Sequence, residues 1–238
     1  MIGNIFPTVD AAGFLGLPLP PVLFGMNYAQ RENSKYDGMF FVDQDCDLII
    51  GGMDAAARLP PEEQERLEAL RRYGPFGLLR AAVFDDISRL AAFICKTPIS
   101  LITLIDANRQ WFLSQNGVGA CETSREASFC AHALVGPETL IVEDARTDAR
   151  FARNVMVTGA PFIRFYAGTP LLTPDGYALG TLCVVDCVPR RLTPEQRESL
   201  RSLGRLVMAQ LETTRLKREL RILQQSLTSY PSPRGDAS

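Results

Sequence analysis

The chain has 238 residues, 46% of them apolar and 22% charged, with a formal net charge of −2. That length suits one full domain with additions, or two small ones, and the near-neutral charge leaves no global field to draw in nucleic acid or an anionic membrane. No stretch reaches the roughly 18 unbroken apolar residues of a membrane span. The apolar opening lacks a basic residue before Arg31 and is broken at Pro7, Pro18, Pro20 and Pro21, so it fits neither a secretory signal nor a spanning helix.

Within an N-terminal arm of residues 1–60, residues 1–37 show no sustained period and read as extended chain, and MFFVDQDCDLIIGG reads as a β-hairpin. Asp43, Asp45 and Asp47 alternate in its turn, but Leu48 stands where a calcium loop needs glycine, so a solvated turn is expected. A short linking helix occupies 61–76. Pro60 and Pro61 open it, Glu62 and Glu63 complement its positive end, Arg71 and Arg72 its negative end, and Gly74-Pro75 stops it. A second helix is expected near 77–96, with Leu79, Val83, Ile87, Leu90 and Ile94 as its apolar face.

The pattern then switches to strands. ISLITLI is a continuous apolar run suited to a central strand, and QWFLS follows after a DANR turn. SQNGVGACETSREAS reads as a loop, TLIVED as a strand, and ARTDARFARN as a loop with a helical turn, folded back through its own ion pairs. IRFYAGTPLL and YALGTLCVVD are two strands joined by a Thr-Pro-Asp-Gly turn. Thr193 caps a final helix with Pro194 at its first position, running to about Leu227. The tail at 230–238 is polar and expected to be disordered.

ISLITLIDANRQWFLSQNGV, SFCAHAL, the run from LIVEDARTDARFARN to LGTLCVVD, and RRLTPEQRESLRSL, in that order and spacing, resemble the GAF domain family of bacterial sensor kinases and cyclic-nucleotide signalling proteins. The resemblance covers 77–213. It implies an α+β fold: an antiparallel sheet of five to six strands, the terminal helices on one face, and a lid of loops and short helices, here 115–160, on the other. A small-molecule pocket would lie between sheet and lid.

The lone histidine, His132, stands two residues after Cys130, and three readings compete. A nucleophilic thiol needs a lowered pKa, often from a nearby imidazolium or a helix N-terminus, and residues two apart share a face in a strand but not in a helix. One GAF-like family, the free methionine sulfoxide reductases, uses lid cysteines, and Cys121 and Cys130 both fall in the lid; the flanking sequence does not match that family. Phytochrome-like GAF domains attach a tetrapyrrole through a cysteine followed directly by histidine, whereas Ala131 intervenes here. The favoured reading makes the segment a pocket wall, with Ser128 capping a short helix and Cys130 acting as a small apolar residue.

Pocket candidates are therefore Phe129, Cys130 and His132 from the lid, Arg164 and Tyr166 from IRFYAG, Arg109 and Trp111 from the second strand, and Cys183 from the last. Arg164 could hold an anion or tie the lid down through Asp144 or Asp148. Asp106 and Asp186 close strands and should cap turns. The six cysteines (Cys46, Cys95, Cys121, Cys130, Cys183, Cys187) form no tight pairs and only one histidine exists, so no metal site is expected; scattered thiols without a leader suit the cytoplasm.

No cofactor or catalytic residue is identified, and the ligand's identity stays open. Leu200, Leu203, Val207 and Leu211 should pack on the domain. Leu216, Leu220, Leu223 and Leu227 make a 4-3-4 seam over 214–229, the spacing of a short coiled coil, while RLKRELR reads as a solvated face. With no output domain in the sequence, this helix is expected to form a homodimer or dock on a signalling protein. The expectation is a cytoplasmic, non-enzymatic sensory protein with a small-molecule ligand and no nucleic acid or membrane partner. Its rivals are a thiol-dependent reductase and a structural subunit whose pocket has degenerated.

Overall fold

The computed structural model describes residues 59–74 and 82–228. The N-terminal arm, its hairpin and acidic turn, and the 230–238 tail lie outside the described residues. Among those described, two helices precede the sheet: α1 (Glu63–Arg72) and α2 (Ala82–Cys95). Strands β1 (Ile99–Ile105), β2 (Arg109–Asn116) and β3 (Glu122–Ser124) follow. Next come a helical turn α3 (Phe129–His132), β4 (Leu140–Val142), a second turn α4 (Val155–Thr158), β5 (Phe165–Leu172) and β6 (Ala178–Asp186). The long helix α5 (Pro194–Thr228) completes the series.

The six strands form one antiparallel sheet in the order β3-β2-β1-β6-β5-β4. Every residue of β1 and β6 is buried, which explains why both read as unbroken apolar runs: each is covered on two faces. On one face Ile102, Leu104, Phe165, Leu179, Leu182 and Val184 meet the helices; on the other, Ile99, Leu101, Ile105, Tyr166, Cys183 and Val185 meet the lid. The α+β architecture expected from the sequence is the one observed. The lid segment adds a strand that the sequence reading took as loop: β3 forms by pairing Glu122, Thr123 and Ser124 with Trp111, Gln110 and Arg109.

Helix α2 presents a different face from the one its spacing suggested. Phe84, Ile87, Ser88, Ala91, Ala92 and Cys95 are buried, whereas Val83 and Leu90 are exposed, together with Phe93 at 76%. Small residues at 88, 91 and 92 let the helix approach the sheet closely, and Ser88 bonds Ser114 of β2 at 2.9 Å. Helix α5 opens with a reciprocal capping box: Gln196 N–H donates to Thr193 Oγ1, and Thr193 N–H donates to Gln196 Oε1. Its Leu200, Leu203, Val207 and Leu211 stripe is buried as expected.

The basic run after that stripe is not simply solvated. Arg218 donates to the carbonyls of Arg72 and Tyr73, closing the C-terminus of α1, and Arg215 pairs with Glu212 and Glu219. Tyr73 Oη in turn bonds Glu212. Gly74, just past the end of α1, takes a positive φ of 85°, which glycine adopts freely. No helix among the described residues is long and apolar enough to cross a membrane.

Candidate functional site

A cavity of about 60 Å³ lies between sheet and lid. Its floor comprises Ile99, Leu101, Phe112, Cys183 and Val185, with Tyr166 at one side; Val118, Ala120, Phe129, Cys130, Met156 and Ile163 roof it. None of its wall residues is Lys, Arg, Asp or Glu. The lid is held by short local devices. Ser128 accepts from Ala131 N–H at 3.2 Å, capping α3, and donates its own proton to Gln110 Oε1 of β2. Asn154 caps α4 by accepting from Met156 N–H and donates to Ala127 O, joining the two helical turns. Phe129 stacks on Phe151 at 4.2 Å and tilts against Tyr166 at 5.4 Å.

Because α3 is helical, Cys130 and His132 diverge. Cys130 turns inward to Cys183, with the two Sγ atoms 3.7 Å apart. His132 packs edge-on against Phe151 at 4.7 Å, away from the cavity wall. Burial and then the Arg150 charge hold its pKa below the ordinary value, so the ring is neutral at pH 7 and supplies no imidazolium to the thiol. Burial works against ionising Cys130. The contact with the Cys183 thiol, 3.7 Å away, outweighs it and draws the Cys130 pKa below the ordinary thiol value. The hydrogen bond to Cys130, then burial, pushes Cys183 well above its usual value.

Of the eight pocket candidates, the cavity gathers Phe129, Cys130, Tyr166 and Cys183 and leaves four outside its wall. Arg109 lies over the Trp111 ring at 4.1 Å and pairs with Glu122 at 3.6 Å on the opposite side of β2. The parity of that strand thus sends Gln110 and Phe112 inward instead. Arg164 is spent on the carbonyls of Val157 and Ile163, so it ties the lid to β5 through backbone and not through Asp144 or Asp148. Those carboxylates pair with Arg146 and Arg150 two residues on, the self-folded loop that the charge pattern implied. Asp106 and Asp186 cap turns as expected, accepting from Ala107 and Val188 N–H.

Two wall features escaped the sequence reading. Thr123 Oγ1 is buried at the cavity without a hydrogen-bond partner among the described residues; it sits on the unforeseen β3. Gly168 faces Tyr166 so closely that a Cβ there would lie 2.0 Å from the Tyr166 hydroxyl oxygen. Gly168→Ala should therefore evict the ring from its seat at a cost of about 1–3 kcal/mol. Urea unfolding measures the loss, and near-UV circular dichroism should report the displaced tyrosine.

Antiparallel sheet, helices on one face and a lidded chamber on the other are the plan of a sensory-type signalling domain. The family model for the GAF domain matches residues 65–211, and the chain belongs to that family. A cyclic di-GMP phosphodiesterase of Pseudomonas aeruginosa is 41% identical over 160 residues, 66% of this chain and 27% of that protein. The chain thus spans about a quarter of that relative's length. The blue-light absorbing form of the Thermosynechococcus elongatus PixJ GAF domain matches with a TM-score of 0.50 at 11% identity, covering 64% of this chain and 95% of that one, a likeness of fold alone. The GAF domain of an Acinetobacter phosphoenolpyruvate-protein phosphotransferase gives 0.47 at 16% identity, over 65% and 98% of the two chains.

Proposed function

We propose that this is a non-enzymatic, cytoplasmic GAF regulator that holds a small uncharged ligand between sheet and lid and transmits its binding through the terminal helices of a homodimer. The observation that carries this reading is the chamber itself. Its wall is mostly apolar and carries no Lys, Arg, Asp or Glu, and among the described residues the polar groups lacking a partner on it are the Thr123 and Tyr166 hydroxyls. An anionic cyclic dinucleotide would leave phosphates buried without a counter-charge, which costs far more than apolar contact returns. The kinship with part of a cyclic di-GMP phosphodiesterase supports a place in second-messenger signalling as a regulatory module. The bound molecule itself would be mostly apolar, with a polar atom reaching Thr123.

The neutral, outward-packed His132 and the absence of any cation on the chamber wall favour binding over thiol catalysis. Output is assigned to α5. Leu216, Leu220, Leu223 and Leu227 are each more than half exposed at coiled-coil spacing, so a second copy of the helix can cover them.

Native mass spectrometry of the full chain from its own source tests both parts. It should show a dimer carrying a neutral small molecule, and Ala120→Leu, which fills the chamber, should lose that molecule. An empty chamber, or a bound cyclic dinucleotide, overturns the ligand reading. Leu220→Glu with Leu223→Glu should yield monomer in sedimentation equilibrium with the domain's melting temperature unchanged. A dimer that survives both substitutions overturns the helix seam.

A further inference from the structure

The two thiols inside the chamber belong to opposite walls: Cys130 rides on lid helix α3, and Cys183 stands in the middle of β6, paired with Leu101 and Gly168 on either side. Both are almost wholly buried, at 3% and 0% exposure. Their sulfurs are 3.7 Å apart, in contact but not bonded. A disulfide needs about 2.05 Å, a closure that a rotation of one side chain or a small descent of α3 into the adjoining cavity can supply. We infer that Cys130 and Cys183 form a peroxide-oxidisable dithiol whose disulfide locks the lid onto the sheet.

The chemistry balances with hydrogen peroxide as the two-electron oxidant. Cys130 sulfur attacks one peroxide oxygen and the O–O bond breaks; the departing hydroxide takes the Cys130 proton and leaves as water, with a sulfenic acid on Cys130. Cys183 sulfur then attacks Cys130 sulfur, the S–O bond breaks, and the hydroxyl leaves with the Cys183 proton as a second water. Two thiols are oxidised to one disulfide, and peroxide is reduced to water.

The division of roles follows from the surroundings of each sulfur. Cys130 rides on the lid and keeps 3% exposure against 0% for Cys183 in the middle of β6, so Cys130 meets the oxidant first and is the attacker, and Cys183 resolves. Size selects the oxidant. A chamber of about 60 Å³ admits a few water-sized molecules, whereas a peptide disulfide such as oxidised glutathione cannot reach either sulfur. The bond would shrink the chamber from which both side chains project, so oxidation would compete with ligand for the same space.

The test uses the full chain, ligand-free, so that it stands apart from the ligand reading. After brief treatment with hydrogen peroxide, non-reducing peptide mapping should show the Cys130 and Cys183 peptides joined with the loss of two hydrogens, restored by dithiothreitol. The same treatment with oxidised glutathione should leave both as thiols. Cys121→Ser and Cys187→Ser should keep the crosslink. Cys183→Ser should abolish it and leave one added oxygen on the Cys130 peptide. Wild-type mapping decides even if a variant fails to fold: oxidation confined to other cysteines, or equal crosslinking by oxidised glutathione, overturns the inference.

Discussion

Glu63→Gln is expected to destabilise the domain by about 3–5 kcal/mol, the cost of leaving buried charge without its partner. Glu63 receives a two-pronged contact from Arg66, at 2.8 and 2.9 Å, and a third hydrogen bond from Arg125 at 2.5 Å. The Arg66 side chain is 2% exposed and that of Arg125 9%. Their remaining donors go to backbone: Arg66 to Ala178 O at the start of β6, Arg125 to Asp106 O after β1. One carboxylate is therefore shared by two cations that fasten α1 and the lid's first loop to the sheet. Glutamine keeps the shape but not the charge.

The pH dependence of this effect has a definite sign. Burial alone would raise the Glu63 pKa, but the hydrogen bonds and charges of Arg66 and Arg125 outweigh it and hold the group at about 2, against 4.5 for a free glutamate. A depressed native pKa means that the unfolded chain binds the proton more readily. Discounted for solvent screening of this partly exposed carboxylate, the contribution is about 1–2 kcal/mol; it is complete above pH 4.5 and is lost as pH falls towards 2. Urea midpoints of wild type and Glu63→Gln should differ widely at neutral pH and converge through that window. A gap that stays constant would show the network contributes no linked stability.

Gly180→Ala should be at least as damaging, by about 3–4 kcal/mol, and the soluble yield is the first readout. Gly180 lies opposite Leu104 on β1. A bulge where β6 meets β5, between Pro170 and Leu172, turns its Cα–H towards the neighbouring strand. A Cβ there would sit 1.9 Å from the Thr103 carbonyl oxygen and 2.8 Å from Leu104 Cα. These are backbone atoms of the sheet's central pair, so no side-chain rotation relieves the clash. The β1–β6 pairing has to open, and Cys183 and the chamber floor move with it. Thermal unfolding should fall steeply, and hydrogen exchange should quicken first along β1 and β6. Unchanged protection there would refute the argument.

The elements easiest to read were those whose sequence and burial agree locally. The β1 and β6 runs, the Thr-Pro-Asp-Gly turn, the Thr193 cap and the first leucine stripe of α5 each carry their own signal. The errors have physical causes. Helix α2 has apolar residues on two stripes, and the sheet takes the one whose serine and alanines permit close approach, leaving Val83, Leu90 and Phe93 exposed. Strand β3 is three polar or half-polar residues that become a strand only by pairing with β2. Arg109 and Trp111 share one face of β2, expected to look towards the pocket. Strand parity and the Glu122 partner send them the other way.

The sequence by itself determined the family, the sheet-and-lid plan and the segment that roofs the chamber, because order and spacing of turns, caps and apolar runs are local properties of the chain. Only the tertiary structure decided which side chains face one another across that chamber. Cys130 and Cys183 are 53 residues apart, and Glu63 meets Arg125 across 62. Such meetings depend on strand parity, bulges and helix phase summed over the whole fold, and a one-residue shift in any of them turns a wall residue outward.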